Sequence, residues 1–391
     1  MSEELQKSAE QAELEKVEKV KASLARIANK ESKFLFAIPE SQSPVASVYE
    51  LYFHATVVKN MGFPVKIMVE KGDYEVPTWI EKELTDHEHV FMSDPKLTVS
   101  PDDIMVIPEV FSNVMEQTKN LPCMRIGLLQ SVDYMVNALI PGTDWRSFGI
   151  EDVITTSPTL KDWLELFYGD SNFNIKTYNV GIPEYFEKSK IPQKPVISVI
   201  GRNANEISKF VKLFYNKNKD YSWVTFDPMV TKSKPPKPMR RVDFAKRLRE
   251  NFAAIWIDRI SSFGTFPLEC MKSGTIPICL KPDIMPEYMI VRDEDGKPVE
   301  AVEGAGVWTE NYYDLPVLVG DVLVKFLDDN INPELYDKMS EIAAKYNQTD
   351  SEAMLSEIYT EFLNKRVALL ERAIAQPAPT GELTPTVAEE K

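Results

Sequence analysis

The chain has 391 residues, of which 43% are hydrophobic, and a formal net charge of −15. That size and apolar content are typical of a globular protein with two domains, and no apolar run is long enough to span a membrane. The three cysteines are too few for a disulfide framework, and the charged N-terminus lacks a signal-peptide pattern, so the sequence predicts a cytoplasmic protein. The acidic balance argues against broad binding to nucleic acid.

The N-terminal segment, residues 1–30, predicts a charged helix. Its apolar residues recur at helical spacing and form one stripe: Leu14, Val17, Val20, Leu24 and Ile27. The stripe spans too few heptads to favour a coiled coil with a partner chain. We therefore expect a helix that is docked on the body of the protein or partly disordered.

The next part of the chain predicts a parallel-sheet domain. A strand at residues 33–41, a helix at 45–61 and a strand at 63–70 form a right-handed crossover unit. A helix at 78–84 and strands near 89–92, 102–110 and from 124 onward are expected to follow. Ligands bind beyond the carboxyl ends of parallel strands, so polar residues that follow these strands are candidate contacts. They are Ser41, Gln42, Glu109, Gln130, Asp133 and Ser157. Each alone is more simply explained as a loop residue satisfied by its neighbours.

A polar, proline-bearing segment at residues 187–195 is a candidate linker to a second domain of the same kind. Beyond it, an apolar strand leads into Gly201 and Arg202, and the following helix carries Lys209. Another strand is expected at residues 221–229.

The segment at residues 232–241, KSKPPKPMRR, contains five basic residues and three prolines in an otherwise acidic chain. It is either a solvated loop stiffened by proline or a contact for a polyanion, such as the phosphates of an acceptor. In the second case Lys234 and Arg240 belong to the acceptor site.

The most informative stretch is residues 251–288. A short apolar run there predicts a buried strand, and Gly264 lies in the turn that follows. The next helix has Pro267 in its first turn, Glu269 near its start and Gly274 at its end, and it leads into another apolar strand. In doubly wound sheets, the start of such a helix is where phosphate and ribose groups bind.

Within this stretch, FGTFPLECMKSGTIPI at residues 263–278 resembles the donor-site segment of the retaining GT-B glycosyltransferases, the superfamily that includes sucrose synthase and bacterial glycogen synthase. The element formed by Gly201, Arg202 and Lys209 resembles the glycine–arginine and lysine element of the same enzymes. The resemblance runs weakly over residues 33–375. It implies an α/β fold in which two Rossmann-like, doubly wound parallel-sheet domains face each other across a cleft.

The resemblance also implies a division of the chain. Residues 31–190 would form the acceptor-side domain, and residues 191–350 would form the nucleotide-sugar donor domain. The helix at residues 351–375 would cross back to the first domain. The low-complexity residues 376–391 are expected to be disordered.

The resemblance assigns roles in the donor site. Arg202 and Lys209 would hold the diphosphate and stabilise the negative charge that develops as the glycosidic bond breaks. Glu269 would hydrogen-bond the ribose. Residues Ser261, Phe263, Gly264 and Thr265 would contact the sugar and phosphates, and Ser261 stands where the family has a glutamate that touches the transferred sugar.

The implied reaction is transfer of a hexosyl or pentosyl group from a nucleoside diphosphate sugar to a hydroxyl, with retained anomeric configuration and with neither a metal nor a further cofactor. Glu109 or Asp133 would orient the acceptor hydroxyl. A glycan or a lipid-linked sugar is the default acceptor. The basic segment motivates an alternative, a phage-type DNA glycosyltransferase that acts on a hydroxymethylated base.

Two further alternatives remain open. The first is a noncatalytic GT-B protein that binds a nucleotide sugar or serves in an assembly. It is motivated by Ser261 and by the sequence ESQSP, which replaces the family's glycine-rich loop after the first strand. The second is a sugar-nucleotide epimerase of the same fold.

Metal chemistry has weak support in the sequence. Asp293 and Asp295 form an Asp-x-Asp pattern, but the neighbouring glycine favours a hairpin turn over a metal site. His87 and His89 could share one face of a strand, but no third ligand stands at metal-binding spacing.

Overall fold

The computed structural model describes residues 2–41, 43–169, 173–188, 193–201, 203–229, 237–260, 263–300 and 304–375. The tail at 376–391 and residues 230–236 lie outside these ranges. The first half of the chain contains α1 (Ser2–Ala28), β1 (Phe34–Ala37), α2 (Ala46–Asn60), β2 (Val65–Val69), α3 (Lys82–Thr85), β3 (Glu88–Phe91), β4 (Ile104–Pro108), α4 (Ser112–Gln117), β5 (Met124–Leu129), α5 (Val132–Ala138), β6 (Asp152–Thr155), α6 (Pro158–Tyr168) and β7 (Asn174–Thr177).

These seven strands form one parallel sheet in the order β3-β2-β1-β4-β5-β6-β7. Phe34 at the start of β1 pairs with Val65 of β2 on one side and with Ile104 of β4 on the other. The chain therefore winds outward in both directions from β1 and β4, and the crevice beyond their carboxyl ends is the usual ligand position in such a sheet.

The second half of the chain contains β8 (Lys194–Gly201), α7 (Ala204–Lys217), β9 (Thr225–Asp227), α8 (Arg241–Glu250), β10 (Asn251–Ile257), α9 (Thr265–Ser273), β11 (Ile276–Leu280), β12 (Ile290–Arg292), β13 (Pro298–Glu300), β14 (Val307–Thr309), α10 (Leu315–Leu327), α11 (Pro333–Ala344) and α12 (Gln348–Ala375). A second parallel sheet has the order β14-β11-β10-β8-β9. Strands β12 and β13 form an antiparallel hairpin.

Successive side chains of a strand point to opposite faces of its sheet, so each sheet lies between two layers of the apolar core. Phe34 and Phe36 of β1 face one cluster of buried side chains, whereas Leu35 faces the cluster on the other side of the sheet. In β10, Trp256 belongs to the same cluster as Phe34, and Ile255 belongs to a third. One apolar core therefore runs between the two domains, and it fixes where the carboxyl ends of their strands lie.

The last helix returns to the first domain. Tyr359 of α12 packs edge-on against Phe34, with ring centroids 5.6 Å apart, and its hydroxyl lies 2.8 Å from Nδ1 of His54. Helix α1 packs against α12. Ile27 near the end of α1 is buried, and Ser23 donates to Asp102, as the docked interpretation of the N-terminal helix expects. In the described ranges, no helix is both long and apolar enough to cross a membrane.

Several predicted elements are shorter in the structure, among them the strand expected at residues 33–41, which is confined to Phe34–Ala37. The helix expected at residues 78–84 is confined to Lys82–Thr85, because Trp79 and Ile80 are buried in the core and the carbonyl of Trp79 accepts from the amide of Arg241. The strand expected at residues 221–229 is confined to Thr225–Asp227, because residues 219–221 form a 3₁₀ turn.

The predicted hairpin turn is confirmed. Oδ1 of Asp293 accepts from the amides of Asp295 and Lys297, at 3.0 and 2.8 Å. Within the described chain, no group of three or more His, Cys, Asp or Glu side chains could hold a metal ion. Metal independence stays a prediction.

Candidate functional site

A pocket lies between the two domains, at the carboxyl ends of their sheets. The first domain lines it with the first turns of α2 and α5 and with Thr156, which follows β6. The second domain lines it with the residues that open α9. Its polar and glycine lining includes Ser47, Glu50, Gln130, Thr156, Gly264 and Thr265. We call this the interdomain pocket.

Two helices point their N-termini into this pocket without a side-chain cap among the described residues. Val45 precedes α2 and Gly264 precedes α9, and neither caps its helix with a side chain. By contrast, Ser157 is fully buried, and its hydroxyl caps α6 by accepting from the amide of Leu160. Uncapped helix starts carry positive partial charge and present amide donors, so each of these two helix starts, on opposite walls of the pocket, suits an anion such as a diphosphate.

Gly264 has a conformation and a packing that favour glycine alone. Its φ of +67° lies in the left-handed region, and its carbonyl accepts from the hydroxyl of Tyr288 at 2.9 Å. A Cβ atom at this position would lie 2.8 Å from that hydroxyl and 2.9 Å from the ring of Trp256. The start of α9 can therefore reach the pocket only with glycine at this position.

Glu269, the predicted ribose contact, is buried and paired. It is 8% exposed, and its Oε1 accepts from Nη2 of Arg241 at 2.6 Å. The guanidinium of Arg241 also lies 3.7 Å from the centroid of the Tyr49 ring in α2. Burial by itself lowers the pKa of Arg241, but Glu269 and the neighbouring tyrosines outweigh it and raise that pKa above its ordinary value.

The burial of Arg241 corrects the interpretation of the basic segment at residues 232–241. Arg241 is 7% exposed and begins α8, so it is no part of a solvated loop or of a polyanion contact. Arg240 is exposed and pairs with Asp243 at 2.8 Å. The pairing follows from the helix, because residues three apart lie on one face. Lys234 lies outside the described residues.

Glu50 is a buried acid in the wall of the pocket. It is 3% exposed, it lies in the second turn of α2, and its Oε2 accepts from the hydroxyl of Tyr178 at 3.0 Å. Burial raises the pKa of Glu50 to about 7, although Arg241 and the hydrogen bond from Tyr178 act in the opposite direction. Sequence reasoning missed this residue. The available signal was a single acid inside the apolar run VASVYELYFHATVV.

Glu109 lies at the carboxyl end of β4, behind the residues that line the pocket. It is 1% exposed and takes hydrogen bonds from the backbone around Gln130 and Ser131. Its Oε2 has no hydrogen-bond partner within the part of the chain that the structure describes. Burial raises its pKa to about 8, so a proton on this carboxyl is favoured at neutral pH.

The other predicted residues fall into three groups. Gln130, Phe263 and Thr265 line the pocket with Gly264, and Asp133 lies in the first turn of α5 beside it. Lys209 and Ser41 make contacts elsewhere. Nζ of Lys209 donates to the hydroxyl of Tyr313 at 2.8 Å, and the hydroxyl of Ser41 donates to the carbonyl of Ser43. Four predicted residues lie outside the described ranges: Lys234, named above, and Gln42, Arg202 and Ser261.

Lys209 lies on α7, a helix whose start packs closely against the end of β8. Phe210 and Phe214 are the buried residues of α7, and they orient that helix on the sheet. Gly201 ends β8, where a Cβ atom would come within 3.2 Å of Ile207 and 3.3 Å of Ile257. The start of α7 is therefore packed closely against the end of the strand.

A second contact joins the domains at the rim of the cleft. Oε2 of Glu287 accepts from both the amide and the hydroxyl of Thr159, at 3.0 and 2.6 Å, in the first turn of α6. Arg292 holds Glu287 through two hydrogen bonds of 2.9 Å and reaches Asp162 at 2.7 Å. We call these four residues the rim clasp.

The chain is similar in structure to several solved proteins. A sucrose-phosphate synthase from Thermosynechococcus elongatus has a TM-score of 0.58 at 11% identity, with 86% of this chain and 100% of that chain covered. The pneumococcal O-GlcNAc transferase GtfA, solved with UDP and GlcNAc, has a TM-score of 0.53 at 8% identity, with 86% and 99% covered.

A third similar structure is an alpha-glucosyltransferase in complex with UDP and a 13-mer DNA containing a HMU base. Its TM-score is 0.52 at 11% identity, with 85% of this chain and 99% of that chain covered. No family profile matches the sequence, and comparison with curated proteins finds no match. Both parallel sheets and these structural neighbours agree with the predicted architecture, and we conclude that the chain has the GT-B fold.

Proposed function

We propose that the protein is a glycosyltransferase that moves a sugar from a nucleoside diphosphate sugar to a hydroxyl acceptor. The observation that carries this proposal is the uncapped start of α9 at Gly264, which faces the pocket between the two domains of the GT-B fold. A diphosphate fits the amide donors of such a helix start. The proposal is also supported by the bound UDP in two of the similar structures named above.

The donor would lie with its diphosphate against the amides near Gly264 and Thr265. Arg202 follows β8 and would add a positive charge there. As the bond from sugar to phosphate breaks, electrons move to the diphosphate, and these donors would stabilise the charge that develops. We retain the proposal that the anomeric configuration is kept. Lys209 is a weaker candidate for this role, because its amine is engaged by Tyr313.

Glu269 would bind the ribose through Oε2 while Oε1 holds Arg241. A carboxylate fixed on one oxygen by a guanidinium is well oriented for a hydrogen bond on the other. On the acceptor side, Gln130 lines the pocket, with Asp133 and Glu109 close by. Because Glu109 is buried behind the pocket lining, it would hold the backbone of Gln130 and Ser131 in place rather than touch the acceptor itself.

The test is titration calorimetry of the full chain with three pairs: UDP and UDP-glucose, ADP and ADP-glucose, GDP and GDP-mannose. We expect one pair to bind, and Glu269→Gln to weaken both of its members about tenfold, because each contains the ribose. Arg240→Ala is the matched control and should leave donor affinity unchanged. No binding of any pair at millimolar concentration would contradict the proposed function.

An assay for release of free sugar from the bound nucleotide sugar distinguishes an enzyme from a binding protein. We expect slow release of free sugar from the bound nucleotide sugar, since water can replace the acceptor, and faster release in the presence of the true acceptor. Donor binding without hydrolysis or transfer to any acceptor would support the noncatalytic alternative.

A DNA acceptor is tested separately. Hydroxymethylated DNA is offered at low salt in a gel-shift experiment, with Lys232, Lys234, Lys237 and Arg240 neutralised together in a variant. Arg241 is left unchanged because it is buried. Shifting that disappears in the variant would favour DNA, and no shift at low salt would leave a glycan or a lipid-linked sugar as the acceptor.

A further inference from the structure

Glu50 is an unusual residue for its position. Its neighbours along α2, Tyr49 and Leu51, are buried apolar side chains, and a buried carboxyl costs free energy unless it has partners. Glu50 nevertheless lines the interdomain pocket, on the side that belongs to the first domain. The residue is therefore placed where a ligand between the domains would meet it.

The contacts of Glu50 hold its carboxyl in place. Tyr178 follows β7, is fully buried and donates to Oε2 at 3.0 Å. Arg241 attracts Glu50 electrostatically from the second domain while it is bonded to Glu269. Arg241 thus acts on both carboxyls, and the hydrogen bond from Tyr178 orients that of Glu50.

The pocket therefore combines two chemistries. On the wall formed by the second domain, the start of α9 presents positive partial charge, which suits an anion. Glu50 presents a carboxyl, which accepts hydrogen bonds from hydroxyl groups and repels an anion when it is ionised. A ligand that satisfies both has phosphate at one end and hydroxyls at the other, and a sugar linked to a nucleoside diphosphate has this arrangement.

We propose that Glu50 is a sugar-binding residue, which accepts a hydrogen bond from a hydroxyl of the sugar that is to be transferred. The inference rests on the proposed function and goes beyond it, because it assigns recognition of the donor sugar to a side chain of the first domain. It separates two parts of the donor: the nucleoside diphosphate is bound by the second domain, and the sugar is bound by Glu50.

The test compares each nucleotide sugar with its nucleoside diphosphate, using the three pairs named above and Glu50→Met. Methionine has a similar size, and its thioether sulfur is only a weak acceptor for a hydroxyl. We expect the affinity for the nucleotide sugar to fall about tenfold and the affinity for the diphosphate to stay within about twofold. Glu50→Gln keeps an acceptor for Tyr178. Its affinity for the nucleotide sugar should lie between those of the unmodified protein and Glu50→Met.

Asp103→Asn is the matched control. Asp103 is also a buried acid of the first domain, but it lies at the amino end of β4, away from the carboxyl ends that face the pocket, and it accepts from the amides of Lys33 and Ser100. Equal weakening of both pair members by the Glu50 variants, or no change in either, would overturn the inference. If Glu50→Met fails to fold, an unchanged ratio of the two affinities in Glu50→Gln overturns it. Absence of all binding to the unmodified protein is a different result, which rejects the proposed function itself.

Discussion

Arg241 forms a buried ion pair with Glu269 of its own domain and at the same time packs against the first domain. Its Nη2 donates to Oε1 of that residue at 2.6 Å, and the same guanidinium covers the ring of Tyr49 in the other domain at 3.7 Å. The contact places α8 and α9 of the second domain against α2 of the first. It therefore fixes the distance between the two walls of the interdomain pocket.

Removal of Arg241 is expected to destabilise the protein strongly. Arg241→Met would leave Glu269 buried without a counter-charge, and breaking a buried pair in this way costs about 3–5 kcal/mol. Urea denaturation measures the change in unfolding free energy. The control is Arg240→Ala, where an exposed pair with Asp243 is lost and the expected change is below about 1 kcal/mol. Similar values for the two variants would refute the structural role of Arg241.

Gly264→Ala is expected to cost both stability and donor binding. An alanine there must adopt a left-handed backbone, at about 1–2 kcal/mol, and must also displace Tyr288 or Trp256. Gly142→Ala is a suitable comparison, since Gly142 has a φ of +81° but nothing within 4 Å of its added Cβ. The difference in unfolding free energy between the two variants measures the cost of the close approach. No difference would mean that the loop before α9 adapts freely.

The buried carboxyl of Glu109 predicts a pH dependence of stability. Its pKa is raised from 4.5 to about 8 in the folded protein, so the folded state holds a proton that the unfolded state releases. The contribution to stability is complete below about pH 4.5 and is lost as the pH rises through about 8. Between about pH 5 and about pH 9, this effect should lower the unfolding free energy by on the order of a few kcal/mol, as measured by urea denaturation. In Glu109→Gln this contribution to the fall should be absent. Parallel pH profiles for the two proteins would contradict the assignment.

The rim clasp predicts a local change in dynamics. In Glu287→Ala, the first turn of α6 loses the acceptor for Thr159, and Arg292 loses two hydrogen bonds. We expect amide exchange at the start of α6 to become at least tenfold faster, as measured by hydrogen–deuterium exchange. Glu310→Ala, which breaks only an exposed pair with Lys281, should leave that exchange unchanged. Unaltered exchange in Glu287→Ala would show that the clasp does not hold the helix.

Local patterns in the sequence predict much of the fold. The apolar runs in β1 and β10, the glycine that ends α9 and the turn at Asp293 are each specified by neighbouring residues. Each element type therefore follows from short-range chemistry. The boundaries of α3 and β9 do not. Helix α3 begins late because Trp79 and Ile80 are buried in the core, and β9 begins late because residues 219–221 form a 3₁₀ turn.

The site was less accessible to prediction from the sequence. Gly264, Thr265 and Gln130 could be predicted because they follow strands of parallel sheets. The ion-pair partner of Glu269 could not be predicted. Arg241 precedes it by 28 positions, at the end of a basic segment whose composition is typical of a solvated loop. Arg241 is turned inward by its packing on Tyr49 and by its bond to Glu269. The position of the Lys209 amine could not be predicted either, because its partner Tyr313 lies 104 positions away in the sequence.

In the proposed complex, one nucleotide sugar binds between the domains and touches both of them. Hydrogen–deuterium exchange of the full chain, with and without the tightest-binding of UDP-glucose, ADP-glucose and GDP-mannose, tests it most directly. We expect slower exchange in two separate segments, the start of α2 near Glu50 and the start of α9 near Gly264. The nucleoside diphosphate alone should protect the start of α9 more than residues near Glu50. Protection that spares both segments, or no protection by any of the three at millimolar concentration, would contradict the account.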